Sequence, residues 1–288
     1  MDRPPGTSTP VIFHAGEVHE ANGLLVSPVD QALVQGQAVF ETLIAYHGKP
    51  FALGRHLDRL GKGGEAMGLK MPEDGTVESA IATVLEAGGF DNAERARIRI
   101  TLTGGVGDPR FTDAPALEQL FVEASLAPVF ANSASVVTVP FARNDRSALA
   151  GLKTINYGEN IVAFRLAREA GADEAVFRNT RDQLCEGTWS NIFVHAGGRW
   201  LTPPLSSGCL PGVTRAIVLE LAEEAGIRID EIDFPMSELD STDAAFLTST
   251  LRELQSVRAV DGRELPLPNP PGWPELLAAY RARVEAES

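Results

Sequence analysis

Lysine is scarce in this chain. Of 25 basic residues only four are lysines, Lys49, Lys62, Lys70 and Lys153, and the rest are arginine. Cysteine is scarcer still. Cys185 and Cys209 stand apart and form no motif, so no disulfide framework is encoded and a reducing, cytoplasmic compartment is expected. Five scattered histidines and two distant cysteines fit no zinc-ligand spacing. No apolar segment is long enough to span a bilayer, and the opening MDRPPGTSTP lacks the apolar run of a signal peptide. Repeats, low-complexity tracts and a GxxxxGK[ST] loop are all missing. GGVGDPR follows a strand-like run but has no third glycine at the right spacing, and Pro109 stands where a helix would open, which argues against a dinucleotide loop. GTWSN is not GxSxG, so a nucleophile elbow is not expected. Positive charge is outnumbered, 25 against 39, and the net charge of −14 makes a poor general partner for nucleic acid or an anionic membrane.

What remains is the balance of a soluble globular protein: 288 residues, 44% apolar and 22% charged, enough for one large or two ordinary domains. VIFH (11–14), ETLIAYH (41–47) and RIRITLTGG (97–105) read as strands, the last because Ile98, Ile100 and Leu102 alternate with Arg97, Arg99 and Thr101. Helices are expected around HLDRL within 51–70 and over 77–88. LAPVFANSA (126–134) has the character of a linker, which divides the chain into 1–125 and 135–288. Beyond it, helices over 160–170, 214–225 and 275–286 alternate with strands EAVFR, NIFVH and AFLTS, and LPLPNPPGWP (265–274) reads as a loop.

The isolated Lys153, in LAGLKTINYGENIVAF, raises a chemical question. Arginine cannot act as a nucleophilic amine because its guanidinium stays protonated. Lysine can, if burial lowers its pKa from a free value of about 10.4. Against this stands an ordinary surface lysine. Three further stretches bear on the choice. Glu186, in LCEGTWSNIFV, could pair with a protonated ring nitrogen or be a solvated turn glutamate. Gly212-Val213-Thr214 opens a helix whose free N–H groups suit a phosphate, or Thr214 is a plain N-cap. Thr248, Ser249 and Thr250, in FLTSTLREL, place three hydroxyls at a strand exit where they could also hold a phosphate. An amine, a carboxylate for a pyridinium and a phosphate cup are the needs of pyridoxal phosphate.

KTINY, GADEAVF, CEGTWSNIF, TPPLSSGCLPGVTR and FLTSTLREL, in this order and spacing, resemble the class IV aminotransferases, the fold-type IV pyridoxal phosphate enzymes. The resemblance runs from about residue 12 to 265. It implies an α/β (α+β) fold of two domains, a smaller N-terminal α/β sandwich and a larger C-terminal α/β pseudo-barrel. It implies pyridoxal 5′-phosphate as cofactor, an amino donor and a 2-oxo acid as substrates, a homodimer with its site near the interface, and no nucleic-acid or membrane partner. Carried over by motif, Lys153 is the Schiff-base lysine and Glu186 the partner of the pyridine nitrogen. Arg59 binds the phosphate, with Val213, Thr214, Ser249 and Thr250. Leu210 packs on the ring, Tyr157 approaches the phenolic oxygen, and Asn191 belongs to the cofactor-binding set. The short K-x-x-N spacing of Lys153 and Asn156 is similar to D-amino acid transaminases and the lyases rather than to branched-chain enzymes. Arg110 is the expected carboxylate clamp, although Thr112 stands where a histidine is expected; Arg143 and Arg146 rank below it. A D-amino acid transaminase is therefore expected, with aminodeoxychorismate lyase and then branched-chain L-aminotransferase as alternatives.

Overall fold

The computed structural model describes residues 9–107, 117–267 and 270–287. Two compact units emerge. The first runs to Pro128 and takes in Lys153–Asn156; the second comprises Val129–Leu152 and Tyr157–Ala286. The lysine segment thus clusters with the first unit while its chain neighbours on both sides belong to the second.

The first unit contains β1 (Val11–His14), β2 (Glu17–Glu20), α1 (Gln31–Gln35), β3 (Ala38–Tyr46), β4 (Lys49–Pro50), α2 (Leu53–Ala66), α3 (Thr76–Gly88), β5 (Ala96–Val106) and β6 (Leu117–Leu126). Its strands form one antiparallel sheet in the order β2-β1-β6-β5-β3-β4. Alternation on β5 buries Ala96, Ile98, Ile100 and Leu102 on one face. Val77, Ala80, Ile81 and Val84 recur at helical spacing on α3 and join the same core. Each fully buried isoleucine stabilises this unit by about 2 kcal/mol.

The second unit contains β7 (Ser133–Arg143), α4 (Gly158–Glu169), β8 (Glu174–Asn179), β9 (Leu184–Gly187), β10 (Asn191–Ala196), β11 (Arg199–Thr202), α5 (Val213–Glu224), β12 (Ile229–Glu231), β13 (Ala244–Ser249), β14 (Glu253–Val260), β15 (Arg263–Glu264) and α6 (Trp273–Glu287). Its sheet is a curled half-barrel in the order β12-β11-β10-β13-β14-β7-β8-β9, with β15 paired to β14. The pairs β14/β7, β7/β8 and β11/β12 are parallel, and the others are antiparallel.

Several elements differ from the sequence reading in a physically simple way. Leu126 at one end of the expected linker and Ser133 and Ala134 at the other are strand residues, so only 127–132 of it lie outside strands. Helix α6 begins inside the proline-rich stretch. Pro274 falls in its first turn, where a missing N–H breaks no intrahelical bond. Helix α5 opens at Val213 with Gly212 as its cap, so Thr214 is a first-turn residue and not the N-cap.

Candidate active site

The second unit gathers most of the expected cofactor residues around the start of α5. Glu186 lies on β9, and its Oε2 accepts the Leu210 N–H at 2.9 Å. Arg143, at the end of β7, places Nε 3.3 Å from Glu186 Oε1. Asn191 opens β10 and donates through Nδ2 to the Leu210 carbonyl at 2.9 Å. A Cβ at Gly212 would sit 2.0 Å from Asn191 Oδ1, so only glycine lets the chain pass this close. One residue on, α5 begins with no side-chain cap, which leaves its first-turn N–H groups and the positive end of its dipole for an outside anion.

Cross-strand pairing brings Thr248 opposite Asn191, so the two side chains share a face of the sheet. Thr248 Oγ1 is buried and has no hydrogen-bond partner. Ser249 ends β13, and its Oγ accepts the Arg252 N–H at 3.2 Å; Thr250 follows in the turn. An uncapped helix start, a close-packed glycine, an orphaned buried hydroxyl and a fixed carboxylate form a donor set that fits a phosphorylated, protonated heterocycle. Tyr157 precedes α4 as its N-cap. Arg146 is exposed on the loop after β7 and stands outside this bonded group. Arg110 and Thr112 lie outside the described residues.

Two predictions test this cradle. Gly212→Ala is expected to displace Asn191, at a cost of about 1–3 kcal/mol in stability. It is also expected to weaken retention of an anionic ligand at α5, read by equilibrium dialysis and thermal melting. An unchanged melting point and affinity would remove Gly212 from the cradle.

Arg59 and Lys153 are found in the first unit. Lys153 to Ile155 run beside β3: Phe40 N–H donates to Lys153 O at 3.0 Å and Ile155 N–H to Ala38 O at 3.2 Å. The Lys153 ammonium stands 4.5 Å from the centroid of the Phe40 ring, and the Arg99 guanidinium stands 3.8 Å from the same centroid. On α2, Arg59 donates from Nε and Nη2 to Glu41 at 2.6 and 2.7 Å, and His56 Nδ1 lies 2.7 Å from Glu41 Oε2. Burial alone would raise the Glu41 carboxyl, but the Arg59 and His56 hydrogen bonds and charges hold it down at about 2. Burial pushes His56 below its usual value, with Glu41 opposing and the Arg59 and Lys153 charges adding to it.

Sequence reasoning missed Glu41, His56, Phe40 and Arg99. A signal was available for His56 and Arg59, which stand three apart and share one face of α2. Glu41 interrupts an apolar strand that is buried on both faces, and such a carboxylate needs an internal partner. Cys185 and Cys209 are buried and free. Burial raises both thiols, Cys209 to about 11, so neither offers a thiolate near neutral pH.

The amino-transferase class IV family model matches residues 38–260. A putative branched-chain-amino-acid aminotransferase of Methanocaldococcus jannaschii is 33% identical over 88% of each chain. A D-alanine aminotransferase of Staphylococcus haemolyticus is 27% identical over 88% of this chain and 90% of that one. An aminodeoxychorismate lyase of Bacillus subtilis is 26% identical over 85% and 84%. The solved fold IV-transaminase of Curtobacterium pusillum superposes with a TM-score of 0.85 at 25% identity, covering 97% of this chain and 99% of that one. The solved transaminase accounts for the mixed α/β fold, and the family model with these relatives shows that the chain belongs to the class IV aminotransferase family and is a pyridoxal 5′-phosphate-dependent transaminase.

Proposed function

We propose that this chain transfers the amino group of a D-amino acid, with (R)-amines as a further donor class, to a 2-oxo acid. The observation that carries the reading is the short K-x-x-N spacing of Lys153, Asn156 and Tyr157, which resembles D-amino acid transaminases and the lyases, and the Tyr157 position with the TWSN run favours the transaminase. Packing supports that spacing. Asn156 Nδ2 donates to Gly36 O at 3.1 Å and to Thr154 Oγ1 at 3.2 Å. Gly36 has a φ of 72°, and a Cβ there would meet Asn156 Oδ1 at 2.2 Å. An inserted residue would carry Asn156 out of this notch.

Bound pyridoxal phosphate supplies an electron sink for charge left on the donor's α-carbon. Lys153 holds the cofactor through its amine and then carries the α-proton. Glu186, oriented by the Leu210 N–H, keeps the proton on the ring nitrogen. The first-turn N–H groups of Val213 and Thr214 hold the phosphate with the Ser249 and Thr250 hydroxyls, and Arg59 is the phosphate-binding arginine that the family resemblance implies. Leu210 covers a ring face, Tyr157 serves the phenolic oxygen and Asn191 braces the Leu210 turn. Arg110 is the carboxylate clamp, because Arg143 is already engaged by Glu186, Glu159 and Asn160. Exposed apolar residues of the first unit, Leu25, Val29, Leu33 and Val34, support a homodimer, which sedimentation equilibrium would test.

The test is the visible absorbance of the holoenzyme before and after D-alanine. Loss of the cofactor's visible band, with growth of the near-ultraviolet band of its aminated form, is expected. An unchanged spectrum with D-alanine but conversion with L-leucine would favour the branched-chain reading, which the 33% identical relative supports. Pyruvate release from aminodeoxychorismate without a 2-oxo acid would favour the lyase reading, which the Bacillus relative supports.

A further inference from the structure

Behind the Glu186 carboxylate lies a line of polar contacts that crosses the second unit. The Arg143 guanidinium lies 4.2 Å from the centroid of the Phe177 ring, and its Nε stands 3.3 Å from Glu186 Oε1 as a charge contact without hydrogen-bond alignment. Its Nη1 donates to Asn160 Oδ1 at 3.1 Å and to Glu159 Oε2 at 3.2 Å. Glu159 is largely exposed, whereas Asn160 is buried. The other end of the Asn160 amide donates through Nδ2 to the Thr188 carbonyl. Thr188 is in turn fixed from the opposite side: its N–H donates to Glu174 Oε1 at 2.9 Å and its hydroxyl to the same oxygen. Glu174 Oε2 accepts from Arg252 Nη2 at 3.0 Å, and Arg252 Nη1 is tied to Gln255. Glu174 and Thr188 are buried throughout.

We infer that Asn160 is a positioning residue for Glu186: it holds Arg143 against that carboxylate, and the buried Arg252–Glu174–Thr188 series fixes Asn160 from beneath. The inference rests on the assignment of Glu186 to the cofactor's ring nitrogen. Its logic is electrostatic. A guanidinium 3.3 Å from a carboxylate favours the ionised form, and the gain depends steeply on separation. Among the described residues, the charged and titratable groups facing Arg143 are Glu159 from α4 and Glu186 and the buried Cys185 thiol from β9, with the neutral Asn160 and the Phe177 ring of β8 also against it. A neutral amide at 160 orients the guanidinium without competing for its charge. Aspartate there would be a third carboxylate on one cation. Asparagine is also the side chain that can both accept from Arg143 and donate to the Thr188 carbonyl.

The experiment uses the full chain loaded with pyridoxal phosphate and the variants Asn160→Asp and Glu174→Gln. Three readouts are compared: the pH midpoint of the visible cofactor band, the Kd for pyridoxal phosphate, and the thermal midpoint of the cofactor-free protein. Asn160→Asp is expected to move the pH midpoint by about half a unit or more and to weaken the cofactor about tenfold. Glu174→Gln should change both in the same direction by less, and it carries the test alone if Asn160→Asp does not fold. A purely structural role would lower the thermal midpoint while leaving the spectral midpoint in place, and that result in a folded variant overturns the inference. A Glu186→Gln variant that keeps the wild-type pH midpoint and Kd would instead remove the Glu186 assignment on which the inference rests, and it is measured before the other variants are compared.

Discussion

Lys153→Arg is expected to hold its fold and lose turnover by on the order of a thousandfold or more, and Lys153→Ala to do the same. The reasoning starts with the backbone. The contacts that seat residues 153–155 beside β3 are main-chain bonds, Phe40 N–H to Lys153 O and Ile155 N–H to Ala38 O, and neither involves the lysine side chain. A guanidinium can also keep the cation–π contact that the ammonium makes 4.5 Å from the Phe40 ring centroid. What it cannot do is lose a proton and act as an amine. The arginine variant therefore separates charge from nucleophilicity, and the alanine variant removes both. Circular dichroism and thermal melting should be close to wild type in each. Stopped-flow measurement of amino transfer, with cofactor absorbance followed over minutes, gives the size of the loss. Undiminished transfer by either variant would move the chemistry to another residue.

The chemistry of this site was more legible in the sequence than its support. Lys153, Glu186 and the Gly212–Thr214 helix start are marked by short local patterns, because each owes its chemistry to its own residue type or its place at an element boundary. The strands with strict alternation were equally plain, as on β5, where every second residue is buried over 96–102. Strands β7 and β14 were harder. They form parallel neighbours in the half-barrel, and their polar and apolar residues reflect packing on both faces rather than a simple period. Least legible were the residues that act on other residues. Asn160 and Thr188 are 28 positions apart and meet through one amide; Glu174 and Arg252 are 78 apart and meet through one ion pair. No local window contains such a pair. In a single sequence, a buried glutamate in GADEAVF looks the same whether its partner is an arginine or a backbone amide.

Arg59→Met is expected to produce the largest loss of stability among these changes, because it leaves Glu41 as an uncompensated charge in the core of the first unit. Glu41 has no exposed surface, and both of its oxygens are taken, one by Arg59 Nε and the other by Arg59 Nη2 and His56. Removing one partner of a buried ion pair costs roughly 3–5 kcal/mol. The pH dependence gives the sign. The Glu41 carboxyl is depressed from 4.5 to about 2 in the folded protein, so its contribution is fully present above pH 4.5 and is lost as pH falls toward 2. In Arg59→Met the depression is largely relieved. The acid-unfolding midpoint should then move to higher pH, and urea unfolding at pH 7 should show a lower midpoint with an unchanged slope. The double variant Arg59→Met, Glu41→Gln should recover much of that stability, since it removes the buried charge along with its partner. It should not recover cofactor retention if Arg59 also holds the phosphate. A double variant that is stable and still loses pyridoxal phosphate would therefore assign Arg59 a binding role separate from its pairing with Glu41. A stable double variant that retains the cofactor as tightly as wild type would confine Arg59 to the fold.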